Sequence, residues 1–556
     1  MFYGLNLTVK EESRMFDLII KNGFVVDGAG NPWMRTDIGV KAGKIVKVGR
    51  IYKAEGDRVI DASGLIVCPG FIDIHDHSEF HILANPQAES KVRQGITTQL
   101  NGNCGSSAAP LKGEALKQAR KAAEPIGVKV DWSTLAEYNA KLEKQGIAIN
   151  VASLVGYNTV RLGVMGYDDN PPGREELEEM KGLVAQAMED GAFGMSTGLD
   201  KGLVPGCFAT TEELIEVAKV VSKYGGFYAS HIRNRQERII EAAKEAIRIG
   251  KEAGIPVQIS HYNPRYPDDD KMPKCLKLLY EARELGIDVT CDAIPPTLEN
   301  GWHWAVGILA TQVLPNWAYE GGIEKTLERL RDPKTREKMK RDNDPLWGVC
   351  KKGRWDRIKI LQCEKSPELK GKTIQEIADM KGVDPLDVAY DILLAEDKGL
   401  TRVYILGTST REETVYQVLK HPACSIASDR RVHAPYGPLA KVRTDPLAYG
   451  CFPRAIQLLV KEKKLLTLED AIRKMTSLSA RRMGLMDRGL LREGFWADIT
   501  IFDFKRIRER GTLEKPAQYP EGIEYVIVNG EIVVEKGEHT GKLPGKVLRK
   551  NLNSTI

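Results

Sequence analysis

Residues 225–262 read GGFYASHIRNRQERIIEAAKEAIRIGKEAGIPVQISHY. One apolar run, 225–232, carries His231 near its end, and a second, 255–262, carries His261. Between them, 236–253 place apolar residues at i, i+3 and i+4 spacing, the stripe of an amphipathic helix. Short apolar runs flanked by helices read as strands of a parallel sheet, buried on both faces.

The same rhythm continues in both directions. Six further runs recur: GFIDIHDH (70–77), GITTQLNGNCG (95–105), IAINVASLVGYN (147–158), GAFGMSTG (191–198), IDVTCDAIP (287–295) and ACSIASD (423–429). Helical patterns fill 174–189, 211–224 and 274–285. Eight such units predict an α/β fold, a (β/α)8 TIM barrel over 68–485 with its active site at the C-terminal ends of the strands. The seventh and eighth runs stand about 125 residues apart, which predicts a long lid insertion between strands 7 and 8, over 297–423. Both chain ends are different. Residues 17–67 and 497–536 are short alternating runs broken by Asn-Gly, Asp-Gly and Ala-Gly turns. Neither block buries a core alone, so 16–67 and 486–548 are expected to pair as one small β-sandwich.

Composition narrows the function. The 556 residues are 42% hydrophobic and 28% charged, with a net charge of +5. That is a globular balance with no basic tract for nucleic acid. No apolar run is long enough to span a membrane, and the start lacks the pattern of a secretory signal. Nine cysteines at irregular spacing, without a CxxC, fit a reduced, cytoplasmic protein. The expected partner is a small-molecule substrate, and a homo-oligomer is compatible with the chain.

The chemistry concentrates at the strand ends. His75, His77, Cys104, His231, His261 and Asp429 all fall there, and a closed parallel barrel brings such ends to one mouth. His-x-His on a strand puts both imidazoles on one side, because side chains alternate. Imidazole, thiolate and carboxylate together favour zinc. An open position on zinc turns water into a nucleophile, and a neighbouring carboxylate can carry its proton. His81, His303, His421, His433 and His539 have no such placement and are read as surface or structural.

These residues belong to recognisable motifs. PGFIDIHDH (69–77), GITTQLNGNCG, GAFGMSTGL (191–199), YASHIRN (228–234), VQISH (257–261), IASD (426–429) and RGLLREGFWADITIFD (488–503) resemble the amidohydrolase superfamily. The closer likeness is to the N-acyl-D-amino-acid deacylases, over about residues 16–548. The resemblance implies a distorted barrel with a small β-sandwich. It implies tight zinc on Cys104, His231 and His261, a second, weaker position at His75 and His77, and Asp429 as general acid/base. The fourth run offers no lysine to bridge two metals, so the Cys104 thiolate takes that place.

The substrate set departs from the family. Its substrate carboxylate is held by Lys, Tyr, Ser and Arg, and the matching positions here are Asn263, Ile294, Asn300 and Leu447. Arg233, Arg265, Arg430, Arg431 and Arg443 lie in neighbouring loops and could replace the lost cations. Tyr157 and Asn158 stand where the family usually has Gly-His. Tyr157, Asn158, Arg233, Asn263, Ile294, Asn300, Arg430 and Arg431 are therefore the candidate substrate contacts. The expectation is a zinc hydrolase whose substrate is not a standard N-acyl-D-amino acid. The alternative is ring opening of a neutral cyclic imide, lactam or cyclic 1,3-diketone, the last by C–C cleavage. A non-catalytic relative kept for binding or assembly is a third reading, disfavoured because every ligand position is filled.

Overall fold

The eight apolar runs become eight strands: β1 (Phe71–Asp73), β2 (Ile96–Asn101), β3 (Asn150–Ser153, resuming as Val155–Gly156), β4 (Gly194–Gly198), β5 (Phe227–His231), β6 (Val257–Ile259), β7 (Val289–Ala293) and β8 (Cys424–Ile426). The computed structural model describes residues 15–52, 56–299, 302–343, 345 and 347–551. Each strand pairs in parallel with the next, as in Tyr228 with Val257, Val257 with Val289 and Cys291 with Cys424. The break inside β3 is functional to the topology: its first half pairs with β2 and its second with β4.

The barrel closes differently. β8 and β1 share no ladder; the ring is joined just beyond them, where Asp429 N–H donates to the His75 carbonyl at 2.9 Å and Asp76 bridges Arg430. A buried ionic knot reinforces this seam. Lys91 Nζ lies 3.0 Å from Asp73 Oδ2 and 2.6 Å from Asp76 Oδ2, and donates to Ser428 Oγ at 2.9 Å. Charges so far from water are tolerated only when paired and hydrogen-bonded in this way.

The helices pack by the stripes that the sequence predicts. Helix α1 (Ile239–Ala253) turns Ala242, Ala243, Ala246 and Ile249 inward, and it stops at Gly254, whose φ of +64° suits a left-handed C-terminal residue.

Both chain ends meet in one sheet of nine strands. The join is antiparallel: Ile66–Pro69 runs against Ile499–Phe502, with Val67 opposite Ile501. Apolar residues of both ends, among them Ile20, Val40, Val67, Ile499 and Ile527, share one core. The strands form a single hydrogen-bonded sheet rather than two separate layers, and it curls until Lys44 bridges Trp496.

The span after β7 is more than a loop. Leu298–Glu299, Trp302–Ile308, Tyr404–Arg411 and Ile358–Gln362 form a four-stranded antiparallel sheet. Helices cover it around a separate core that includes Leu309, Leu327, Ile358, Ile377 and Leu393. The last part of the span, the helix Glu412–Lys420, packs instead against the barrel strands β7 and β8. It is the crossover helix of the seventh βα unit.

Candidate metal centre

The strand ends converge as the sequence predicts. Cys104 Sγ lies 3.3 Å from His75 Nε2 and 3.5 Å from His261 Nε2. Asp429 Oδ1 lies 3.1 Å from His77 Nε2 and 3.5 Å from His75 Nε2. Two groups capable of holding a cation result, Cys104 with His75 and His261, and Asp429 with His75 and His77. His75 belongs to both.

The backbone is strained where these side chains are aimed. Cys104, His261 and Asp429 have φ of +51°, +36° and +52°. Non-glycine residues enter this region at a cost that the surroundings must hold in place. Here the hold is visible: Asp292 Oδ1 accepts from the His261 N–H at 2.7 Å, Asp429 N–H is tied to His75, and Asn103 Nδ2 donates to the Leu100 carbonyl at 2.9 Å beside Cys104.

Second partners set the rings. His75 Nδ1 faces Asp292 Oδ1 at 3.3 Å, which leaves Nε2 as the ligand atom. His231 Nε2 is buried without a hydrogen-bond partner among the described residues, and Asp200 Oδ2 stands 3.5 Å away. An orphaned buried imidazole nitrogen beside a thiol and two more imidazoles is what a zinc ligand set presents before the ion is placed. The donors fit the metal. Asp292 draws His75 next to Cys104, and His231 packs edge-on against His261, ring centroids 4.4 Å apart, with Asp200 beside it.

Electrostatics suit the same chemistry. Burial alone would raise the Cys104 thiol, but the charge of His75 and the neighbouring imidazoles of His231 and His261 outweigh it and hold the group well below the usual thiol range. Burial opposes ionisation of Asp429 too, yet His75, His77 and His261 hold it well below the usual carboxylate range. His261 is pushed down to about 3, by burial and then by Arg235 and His231.

Two cavities meet at Asp429. One, of about 520 Å³, reaches from His77 and Cys104 past Phe80, Leu111 and Ala119. The other, of about 390 Å³, is walled by Asn263, Ile294 and the insertion residues His303 and Trp304. Arg235, Arg265 and Asp429 line both, so they form the waist between a more apolar lobe and a more polar one.

The candidate substrate contacts divide. Asn263, Ile294 and Arg430 line the polar lobe and Arg431 the apolar one. Arg430 is not a free cation, since its Nε lies 2.5 Å from Asp445 Oδ2. Asn300 lies outside the described residues. Three expectations are corrected. Arg233 lines neither lobe; it donates to both carboxylate oxygens of Glu245 and to the carbonyls of Cys207 and Ala209, which uses its whole fork. Tyr157 is fully buried with its hydroxyl on Glu213. Asn158 donates to the carbonyls of Gly198 and Leu203, bracing the loop after β4. Leu447 is buried as well.

Other residues reach the site unannounced. Asp292 and Asp200 orient the histidines, and Arg235 donates to His261 Nδ1 at 2.9 Å. His303, read from sequence as structural, accepts at Nδ1 from the Thr297 N–H at 3.3 Å and lines the polar lobe. Burial and Arg430 push it down to about 4. Two signals were in the chain: an aspartate inside the apolar run 287–295, and an arginine four residues after His231.

Comparison with known proteins places the chain in a family. A model of the Amidohydrolase family matches residues 58–534. The D-aminoacylase of Alcaligenes xylosoxydans xylosoxydans is 32% identical over 542 residues, covering 97% of this chain and 99% of that protein. The N-acyl-D-glutamate deacylase of Bordetella bronchiseptica was solved with zinc and a phosphonate that mimics the tetrahedral intermediate. It is 31% identical with a TM-score of 0.77, covering 96% of this chain and 99% of that one. A D-aminoacylase structure that addresses a binuclear metal centre is 29% identical with the same TM-score, covering 96% and 100%.

Proposed function

Since the chain belongs to the amidohydrolase family and is a D-aminoacylase-like hydrolase of that superfamily, we propose that it uses zinc to hydrolyse the amide bond of an anionic substrate, with Asp429 as general acid/base. The observation that carries this is the placement of Asp429 between His77 and His75, next to the Cys104 group, at the waist of the two lobes.

Cys104, His261 and His75, with His231 beside them, would hold one zinc, and His77 and Asp429 with His75 would offer a second position. Zinc held there would supply a Lewis acid for a carbonyl and lower the pKa of a water. The protein does the rest. Asp429 accepts the proton of the attacking water and passes it to the departing nitrogen. Asp292 fixes His75, and His303 lines the polar lobe. Asn263 and Ile294 stand where the family's Lys and Tyr would bind a carboxylate, so the anion is held by the arginines at the waist. An unpaired carboxylate in such a pocket would cost several kcal/mol. Residues 16–67 with 486–548 act as the supporting sheet of the barrel, and the insertion acts as the wall that selects substrate.

A second reading has one observation in its favour. Ile294 and Trp304 give the polar lobe an apolar flank, which suits a neutral cyclic imide, lactam or 1,3-diketone. The deciding assay is proton NMR of zinc-loaded protein with N-acetyl-D-methionine. Release of acetate supports the amide reading. No release, with turnover of a cyclic imide, lactam or 1,3-diketone, would replace it by ring opening.

A further inference from the structure

Among the described residues, Arg235 is a buried cation of the site with no ion pair to account for it. Among the described residues its hydrogen-bond partners are neutral: His261 Nδ1 at 2.9 Å, Asn263 Oδ1 at 2.9 Å and the Asn263 carbonyl at 3.2 Å. The nearest carboxylates are otherwise engaged. Asp200 lies 3.5 Å from both His231 and Arg265, Asp445 holds Arg430, and Asp429 faces the histidines.

The contact with His261 conflicts with metal binding. A guanidinium carries donors only, so Nδ1 must accept and the ring proton sits on Nε2. Nε2 is the atom turned to Cys104 Sγ. To ligate a metal, Nε2 must give up that proton, and a neutral ring then carries it on Nδ1. Two N–H groups would face each other at 2.9 Å. The usual neighbour of a metal-bound imidazole is an acceptor; here it is a cation.

We propose that metal binding unseats Arg235 from His261, and that the freed guanidinium is the anchor for the substrate's anionic group. Arg235 lines both lobes, so a small swing carries its fork into the space that Asp429 also borders. The fork matches a carboxylate bidentately. Metal and anion are then coupled: an anion that holds Arg235 away from His261 raises zinc affinity, and zinc raises anion affinity by the same factor. This rests on the zinc reading above.

The experiment is zinc affinity by competition with a chromogenic chelator, with and without methanesulfonate at constant ionic strength. Methanesulfonate pairs with guanidinium but coordinates zinc weakly. Wild type should bind zinc more tightly with methanesulfonate, by roughly fivefold or more. Arg235→Gln should bind zinc at least as tightly as wild type without the anion, and should lose the response. Arg235→Lys keeps a donor and a charge and should keep part of it. Zinc affinity in wild type that ignores methanesulfonate would overturn the proposal and leave the zinc reading intact. So would an equal response in Arg235→Gln. Wild type that binds no zinc would overturn both.

Discussion

Asp429 and Cys104 share a strained backbone conformation but should fail differently when replaced. Asp429→Asn keeps the shape and removes the base, so the zinc of the Cys104 group should stay while kcat falls by roughly 10²–10⁴-fold. Cys104→Ala removes a ligand, so zinc content itself should fall; elemental analysis separates the two. Glu509 offers a pH test away from the site. Burial, opposed by Arg454, raises its carboxyl from 4.5 to about 7, and its Oε1 has no hydrogen-bond partner among the described residues. The folded state therefore binds that proton more tightly than the unfolded chain. Stability from this group is full below about pH 4.5 and is lost as pH rises through about 7, by up to about 3 kcal/mol. Glu509→Gln should show a flatter thermal midpoint between pH 5 and pH 8; an unchanged slope would rule the group out. The ligand residues were legible because a strand end fixes direction as well as position. Arg233 was not, because its partner Glu245 sits on α1 and only packing brings the two together.

At the scale of elements, all eight strands were readable because each is a short apolar run buried on both faces, and periodicity reports burial. The seam between β8 and β1 was not readable. It depends on Lys91, which follows neither strand directly and looks in sequence like any surface lysine. Lys91→Met would leave Asp73 and Asp76 facing each other unpaired in the core. The expected loss is on the order of 3–5 kcal/mol, read as a lower midpoint in chemical denaturation. A midpoint within experimental error of wild type would mean that the backbone contacts of Asp429 and Asp76 close the ring alone. The insertion shows the opposite lesson. Its length was visible, but its antiparallel sheet and separate core were not, since short runs such as Ile358–Gln362 carry little pattern by themselves. His303 was missed for the same reason: its role depends on which wall of the cavity its strand forms.

For the whole molecule, the two ends are one structural unit. Ile66–Pro69 has Phe16–Val25 on one side and Ile499–Phe502 on the other. A chain ending at residue 485 should therefore lose the outer half of the sheet, expose the β-edge at Val67 and appear mainly in the insoluble fraction. Supplying 486–556 as a separate polypeptide should recover soluble protein; soluble 1–485 alone would show that the barrel needs no such partner. The antiparallel join also sets a schedule for synthesis. The ribosome releases Pro69 early and Phe502 only 433 residues later, which at about 5–20 residues per second is roughly 20–90 seconds. Throughout that interval the nascent chain carries an unfilled strand position beside apolar residues. This makes the half-finished chain, rather than the mature enzyme, the state most exposed to aggregation, and makes slow codons between the two halves costly to yield.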